Sequence, residues 1–304
     1  MILIGENIHV ISKSVQNALR ERDEEFIREL VRIQSDMDFI DLNVGPAKGN
    51  LEGILPWLSK IVEEETSSGI SFDTTNSDEM ERGLKAFNKN VFINSTSKDE
   101  PRLSKMTDLA LQYDGNLIAL TLSKETGIPK TADGRLEIAF EIYENCLEKG
   151  LDNEKLFFDP LILPVCVDQS QALEAVNTIK MIKESFDPPV KTVVGLSNIS
   201  NGCPKELRPL INRVFGCLAF GAGLDSAIID AKDLELVKMF RMLENQNPKS
   251  DIDELYINLS QMVQDFADLE DVKYDENSKE QTQIIKTAGV LLNKEIYSHS
   301  FTQI

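Results

Sequence analysis

Residues that build common metal sites are scarce in this sequence. It has two histidines and four cysteines among 304 residues. The cysteines form no CxxC pair and lack zinc-ligand spacing, so reduced and mostly buried thiols are expected. Only His9 could reach a site formed by the strand ends, and one histidine makes no metal triad. We therefore predict that this chain binds no metal.

Positive charge is also in short supply. Lysine and arginine number 32 against 51 acidic residues, which gives a net charge of −19. Such a surface repels nucleic acids and anionic membranes, so neither is an expected partner. The first residues, MILIGENIHV, lack the basic region of a signal peptide, and no apolar stretch reaches the ~18 residues of a membrane span. A soluble, cytoplasmic protein is expected.

Several nucleotide-binding and catalytic loops are missing as well. The sequence has no GxGxxG or GxxxxGK[ST] loop, which disfavours dinucleotide and P-loop nucleotide sites. The stretch GLSNIS is not a GxSxG nucleophile elbow, because Ile199 stands where the second glycine belongs. Length and composition permit one large domain or two ordinary ones.

Short apolar runs alternate with longer amphipathic segments. The amphipathic segments, such as EEFIRELVRIQ, have the 3.6-residue period of helices. Continuous apolar runs are typical of strands buried on both faces of a parallel sheet. Eight strand-then-helix units predict an α/β protein with the (βα)8 TIM-barrel fold, and an open doubly wound sheet is the alternative. The runs are ILIG (2–5), FIDLNV (39–44), ISF (70–72), VFIN (91–94), LIALTL (117–122), LFF (156–158), TVVGL (192–196) and AIID (227–230).

A late segment breaks this alternation. A loop around Pro248 is followed by apolar residues at helical spacing from Leu255 to Phe266, and strong acidity follows up to Glu280. We predict a single domain, 1–304, with a helical and acidic insertion at about 245–282. The insertion is either a partner-docking element or a neutral surface elaboration.

Polar residues follow almost every predicted strand. In a TIM barrel these positions converge on the carboxyl-terminal mouth, where active sites of the fold lie. Helix capping and turns are the local alternative, and Asp73 and Ser95 are plausible caps. Aspartate and asparagine dominate the set, and such groups suit a heterocycle with amino and ring N–H groups. The residues are Glu6, Asn7, Asp41, Asn43, Asp73 to Asn76, Asn94 to Thr96, Asp159, Ser197, Asn198 and Asp230.

The sequence resembles a known family in a series of ordered motifs. They are GEN (5–7), DLNVGP (41–46), DTTN (73–76), INSTS (93–97), GIPK (127–130), DPLILPV (159–165), GLSNIS (195–200) and RPLINRVF (208–215). They resemble the methyltetrahydrofolate:corrinoid protein methyltransferases. These enzymes are pterin-binding TIM barrels, related to dihydropteroate synthase and to the folate domain of cobalamin-dependent methionine synthase. The resemblance covers residues 1 to about 230 and resumes at TAGVLLNKEIYSHSF.

The resemblance implies roles for individual residues. Asp73, Asn94 and Asp159 match the residues that hydrogen-bond the pterin ring, with Asp159 at its 2-amino and N3 edge. Gly195 and Ser197 match contacts beside that ring.

Further positions carry other implied roles. Asn198 matches the amide near N5, the atom that carries the methyl group, and is the one candidate catalytic residue. Glu6, Asp41, Asn201 and Arg208 fall in folate-binding motifs, and Arg208 contacts the folate tail or pairs with an acid.

The implied reaction moves a methyl group between N5 of methyltetrahydrofolate and a corrinoid cobalt on a separate protein. Tetrahydrofolate is then a substrate, the corrinoid-binding protein is the partner, and a homodimer is the family expectation. Two alternatives stay open. The first is a dihydropteroate synthase-like enzyme, which would need basic residues near the mouth, whereas the strand ends here are acidic or neutral. The second is a non-catalytic folate-binding or docking protein.

Overall fold

Eight parallel strands close into a barrel in the computed structural model, which describes residues 1–302. Each strand pairs with the next, and β1 closes the ring by pairing with β8, Ile2 lying opposite Ser226. The TIM-barrel prediction is confirmed, and the open sheet is excluded. The strands are β1 (Ile2–His9), β2 (Phe39–Gly45), β3 (Gly69–Thr74), β4 (Val91–Thr96), β5 (Asn116–Leu120), β6 (Leu156–Asp159), β7 (Lys191–Gly195) and β8 (Ser226–Ile229).

Helices follow the strands and cover the outside of the barrel. Their apolar faces pack with the outward-facing strand residues in two large buried clusters. Helices α1 and α2 follow β1, and one helix follows each of the next six strands. The helices are α1 (Lys13–Glu21), α2 (Glu24–Ile33), α3 (Ile54–Glu65), α4 (Ser77–Ala86), α5 (Arg102–Gln112), α6 (Ala132–Glu148), α7 (Ser170–Ser185), α8 (Arg208–Gly221), α9 (Leu234–Asn245), α10 (Asp251–Gln264) and α11 (Lys279–Leu291).

The barrel interior is filled by side chains rather than left open. Phe92 lies between Phe39 and Phe157, with ring centroids 4.7 and 4.8 Å away in edge-to-face geometry. Because side chains alternate across a strand, the residue two positions later faces the same interior. Asp41 and Asp159 therefore lie one layer above this aromatic plug, towards the carboxyl-terminal mouth.

Strand β1 is longer than its apolar run predicts. It continues to His9, with a register shift against β2 between Gly5 and Ile8, so Glu6 lies within the strand instead of after it. A Cβ at Gly5 would come within 2.4 Å of the Gln34 side-chain oxygen. That buried oxygen accepts a hydrogen bond from the Asn7 backbone at 3.0 Å. The glycine thus lets Gln34 hold the irregular part of β1 that carries Glu6.

The late segment forms a helix and an irregular acidic stretch after β8. Helix α10 is capped by the Ser250 hydroxyl, which accepts from the Asp253 backbone at 3.2 Å, and it packs on α8. A short 3-10 turn, Leu269–Asp271, precedes α11, which packs on α7 and α8. The predicted single domain and the 245–282 insertion boundaries stay predictions.

No helix among residues 1–302 is long and apolar enough to span a membrane. All four cysteines are free thiols, and three of them are buried, as expected.

Candidate active site

A cavity of about 840 Å³ opens at the carboxyl-terminal end of the barrel. That volume is in the range of small-molecule sites. Every site residue predicted from the sequence lines it, so the structure brings the whole set together. These residues are Glu6, Asp41, Asp73, Asn94, Asp159, Gly195, Ser197, Asn198, Asn201 and Arg208.

Asp41 on β2 is held by side chains from the next two strands, β3 and β4. Its carboxylate accepts hydrogen bonds from the Ser71 hydroxyl at 2.6 Å and from the Asn94 amide at 3.2 Å. Burial and the nearby Asp73 carboxylate raise the pKa of Asp41. Asp41 thereby fixes the side chain of Asn94, which also lines the cavity.

Asp73 is a cavity residue and not a helix cap. Its carboxylate accepts from the Asn43 side chain, and burial raises its pKa to about 6, partly offset by Asn43 and the charge of Arg102. The cap of α4 is Asn76, whose side-chain oxygen accepts from the Asp78 and Glu79 backbones at 3.0 and 3.2 Å. The capping alternative for Asp73 is therefore wrong. Ser95 does not cap α5 either, because the cap position is Pro101.

Glu6 and Asp159 complete the set of four cavity carboxyl groups whose pKa is raised. Burial raises the pKa of Glu6 to about 7, although the Ser197 hydroxyl donates a hydrogen bond to it. Burial likewise raises the pKa of Asp159 to about 7, against the backbone N–H of Leu161, which donates at 2.7 Å. Near neutral pH the site can thus hold both ionised carboxylates, which accept hydrogen bonds, and protonated carboxyls, which donate them.

The segment after β7 presents neutral amides. It forms a 3-10 turn, Leu196–Ser200, that no side chain caps, so capping does not explain Ser197 and Asn198. Asn198 is exposed, and its side-chain oxygen accepts from the Asn201 amide at 3.2 Å. A Cβ at Gly195 would lie 3.1 Å from the Asn198 amide nitrogen, so the glycine keeps this edge of the cavity open.

Basic side chains from loops and a helix also line the cavity and form what we call its basic wall, whereas the strand ends themselves are acidic or neutral, as expected. Lys205, Arg208 and Arg213 come from the loop before α8 and from its first turns, and Lys232 follows β8. Lys205, Arg213 and Lys232 were not predicted from the strand ends, because they lie in loops and in a helix. The spacing of basic residues in KELRPLINR was the signal that could have found Lys205 and Arg213.

Other wall residues were noted in the sequence but not assigned to the site. Asn43, His9 and Asp230 all line the cavity. Asp230 accepts from the Asn7 amide at 2.6 Å and so joins β8 to β1. Burial lowers the pKa of His9, which favours the neutral imidazole. Among residues 1–302 no group of three or more His, Cys, Asp or Glu side chains has an arrangement that could hold a metal ion.

A closed (βα)8 barrel with a polar cavity of carboxylates and amides defines the class of this protein. The family model for pterin binding enzymes matches residues 41–230, well over half of the chain. The chain therefore belongs to the pterin binding enzyme family, as its motifs predict.

Two named proteins are similar to this chain in sequence. The chain is 27% identical over 241 residues to methylcorrinoid:tetrahydrofolate methyltransferase of Eubacterium limosum, covering 78% of this chain and 88% of that protein. It is also 27% identical over 258 residues to methionine synthase of Mycobacterium tuberculosis, covering 81% of this chain and 21% of that enzyme. The chain thus corresponds to about a fifth of the methionine synthase.

Solved structures share the fold at low sequence identity. Dihydropteroate synthase of Coxiella burnetii, in complex with pteroic acid, aligns with a TM-score of 0.58 and 13% identity, covering 81% of this chain and 94% of that chain. The Yersinia pestis dihydropteroate synthase with a sulfonamide drug gives the same TM-score, identity and coverage.

Proposed function

We propose that this protein is a methyltransferase that moves a methyl group between N5 of tetrahydrofolate and the cobalt of a corrinoid on a partner protein. The observation that carries the proposal is a cluster of Asp and Asn side chains from the strand ends, which we call the floor of the cavity. The floor residues are Asp41, Asn43, Asp73, Asn94 and Asp159. Similarity to the Eubacterium limosum methyltransferase supports this reaction over others of the family. The direction of transfer is left open.

The floor binds the pterin ring in this proposal. Asp159 accepts two hydrogen bonds from the 2-amino and N3 edge, a pairing that an ionised carboxylate makes well. Asn94, fixed by Asp41, and Asp73, fixed by Asn43, contact the remaining edge. Because these partners are already in place, little ordering is left for the moment of binding.

The turn after β7 faces the reacting nitrogen. A neutral tertiary amine is a poor leaving group, and it improves as N5 gains a proton or a strong hydrogen bond while the carbon–nitrogen bond breaks. We assign Asn198 to stabilise the charge or proton that develops at N5, with water relaying the proton. The interaction strengthens in the transition state, which is what raises the rate. Asn198 is exposed at the cavity, so a corrinoid domain has access to the methyl group.

A spectroscopic assay tests the proposal. The purified protein is mixed with methyltetrahydrofolate and candidate Co(I) corrinoid proteins, and the absorbance change to methyl-Co(III) is followed. A rate that depends on this protein supports the assignment. Tight folate binding with no cobalt methylation across several corrinoid proteins would instead indicate a non-catalytic folate-binding protein. The homodimer and the cytoplasmic location stay predictions.

The basic wall favours one second candidate. Lys205, Arg208 and Lys232 are the kind of residues that a dihydropteroate synthase needs for pyrophosphate. An assay of p-aminobenzoate condensation with the pterin pyrophosphate separates the two functions. Product formation there, without cobalt methylation, would replace the proposal.

A further inference from the structure

Two arginines next to the strand ends form no salt bridge with any of residues 1–302. Arg135 on α6 is fully buried, and Arg102 at the start of α5 is partly buried. Neither of them lines the cavity. A guanidinium stays charged at any ordinary pH, and a buried charge without an ion-pair partner is costly. Some other favourable interaction must therefore offset the burial of these two charges.

Neutral groups beside the end of β6 hold Arg135. Its Nε donates to the Pro129 carbonyl, in the loop after β5, at 3.0 Å, and Nη2 donates to the Gln171 side chain, at the start of α7, at 2.6 Å. The loop after β5 is joined to the end of β6, because Thr121 donates its N–H and its hydroxyl to the Asp159 carbonyl at 3.1 and 3.0 Å. The remaining nitrogen, Nη1, is buried and has no hydrogen-bond partner in the described chain. The guanidinium is thus fixed near Asp159 by partners that do not neutralise it.

Arg102 is held in the same way beside the end of β3. Its guanidinium donates to the carbonyls of Thr74 and Thr75, each at 3.0 Å. It also donates to the Ser95 carbonyl of β4 at 2.6 and 2.9 Å. All of these acceptors are neutral. Since Thr74 directly follows Asp73, this positive charge too is fixed near a floor carboxylate.

The charge of each arginine acts on one aspartate of the floor. Burial raises the pKa of Asp159 to about 7, and the charge of Arg135 opposes this rise. Burial also raises the pKa of Asp73 to about 6, and the charge of Arg102 opposes it. In poorly solvated surroundings, attraction between opposite charges extends beyond salt-bridge distance. Attraction to these carboxylates is the interaction that offsets the burial of the arginines.

Other charged groups around the floor do not supply this positive charge. Glu174 on α7 accepts from the Ala132 N–H at 2.7 Å, and its negative charge acts on Arg135 as well. Glu6 and Asp41, which also line the cavity, are carboxyl groups themselves. No side chain of the basic wall forms a salt bridge with a floor aspartate among residues 1–302. The positive charge behind the floor therefore comes from the two arginines.

We infer that the two arginines are positioning residues, each of which acts through the floor aspartate beside it. Their fixed positive charges keep Asp159 and Asp73 ionised near neutral pH, so that both carboxylates can accept hydrogen bonds from the pterin ring. The inference rests on the proposed function, because it explains how the same floor stays able to bind that ring.

Carboxyl titrations of the ligand-free protein test the inference without folate. The aspartate side-chain carboxyl carbons are labelled with carbon-13, and their signals are assigned by substituting Asp159 and Asp73 one at a time with Asn. Arg135→Gln should raise the pKa of Asp159 by about 1, and Arg102→Gln should do the same for Asp73, the lower end of the effect of one nearby charge. The matched control is Arg20→Gln, an exposed arginine on α1 outside the cavity, which should change neither pKa.

Folate binding gives a second measurement that a merely structural role would not produce. Calorimetry follows the affinity for methyltetrahydrofolate from pH 6 to pH 9. In Arg135→Gln the fall in affinity should begin at higher pH, so that binding is about fivefold weaker than in the parent at pH 7 and close to parental at pH 9. Loss of a structural contact alone would instead weaken binding by the same factor at every pH.

The outcomes separate this inference from the proposed function. If the arginine variants keep the parental pKa values of Asp159 and Asp73, or weaken binding equally at every pH, the inference is wrong. If Arg135→Gln does not fold, Arg102→Gln decides, because Arg102 is only partly buried. If both pKa values rise as expected but the parent binds no folate, the proposed function fails and the action of the arginines on the carboxylates stands.

Discussion

Two polar parts of the cavity, the floor and the turn after β7, differ in how firmly their side chains are held. On the floor, Asp41 is buried and accepts hydrogen bonds from Ser71 and Asn94. In the turn after β7, Asn198 is exposed, and its only side-chain hydrogen bond among residues 1–302 is with Asn201, the residue that directly follows the turn. A site that binds a rigid ring gains from fixed partners, whereas a group that responds to changing charge needs freedom to form a new bond. The difference agrees with the proposed function, in which the floor binds the ring and the turn acts in the chemistry.

The largest expected effect comes from the turn. Asn198→Ala should lower the rate of methyl transfer by about 10²-fold, since one stabilising donor at the developing charge is lost. Folate binding should be retained, because the floor is intact. Single-turnover absorbance changes measure the rate, and calorimetry measures the affinity.

The matched control for that variant is Asn258→Ala, an exposed asparagine on α10 outside the cavity. It should transfer methyl groups at the parental rate. If Asn198→Ala transfers methyl groups at the parental rate, Asn198 has no role in the chemistry and the proposed division of roles between floor and turn is wrong.

Substitutions in the floor should affect folate affinity more than the rate of methyl transfer. Asp159→Asn should weaken folate binding by about tenfold or more, because a charged acceptor is replaced by a neutral amide of the same shape. At saturating folate the transfer rate should change less than it does in Asn198→Ala. Asp36→Asn, an exposed carboxylate with no hydrogen-bond partner among residues 1–302, is the control. Unchanged affinity in Asp159→Asn would exclude Asp159 from the pterin site.

The smallest effect expected is the pH dependence of folate binding. The pKa of Asp159 in the empty site is raised to about 7, and only its ionised form accepts from the pterin edge. Affinity should therefore fall as pH decreases, by about tenfold from pH 8 to pH 6 for one such group. Glu6, whose pKa is also about 7, steepens the fall if it must be ionised as well.

Measuring the pH dependence of folate binding in Asp159→Asn tests whether Asp159 is the group that titrates. Its profile should be flatter than that of the parent, since the amide does not titrate in this range. A parental profile that is flat between pH 6 and pH 8 would contradict a site in which ionised Asp159 holds the ligand.

Much of the floor could be predicted from the sequence because strand geometry repeats every two residues. Asp41, Asn94 and Asp159 each lie two positions after Phe39, Phe92 and Phe157, so all of them face the barrel interior one layer above the aromatic plug. The meeting of these residues in one site could be predicted from the eight strand-and-helix units, since closing such a sheet brings all strand ends to one rim.

Other features depend on distances that no local pattern encodes. The pairing of Asn43 with Asp73 depends on the register of β2 against β3. The pairing of Ser197 with Glu6, across 191 positions, is created only when the barrel closes. Arg208 was predicted from its motif, but Lys205, Arg213 and Lys232 were not, because they belong to loops and a helix, for which strand periodicity gives no direction. The extension of β1 to His9 depends on the fit of Gln34 against Gly5, a tertiary contact.

A crystal structure of the protein with methyltetrahydrofolate bound is the strongest test of the proposed site. We expect the 2-amino and N3 edge of the ring to lie within hydrogen-bond distance of Asp159, and N5 to lie next to Asn198 with its methyl group towards solvent. A ligand bound outside the barrel mouth, or a ring inside it with N5 turned away from the β7 turn, would show that the proposed binding mode is wrong.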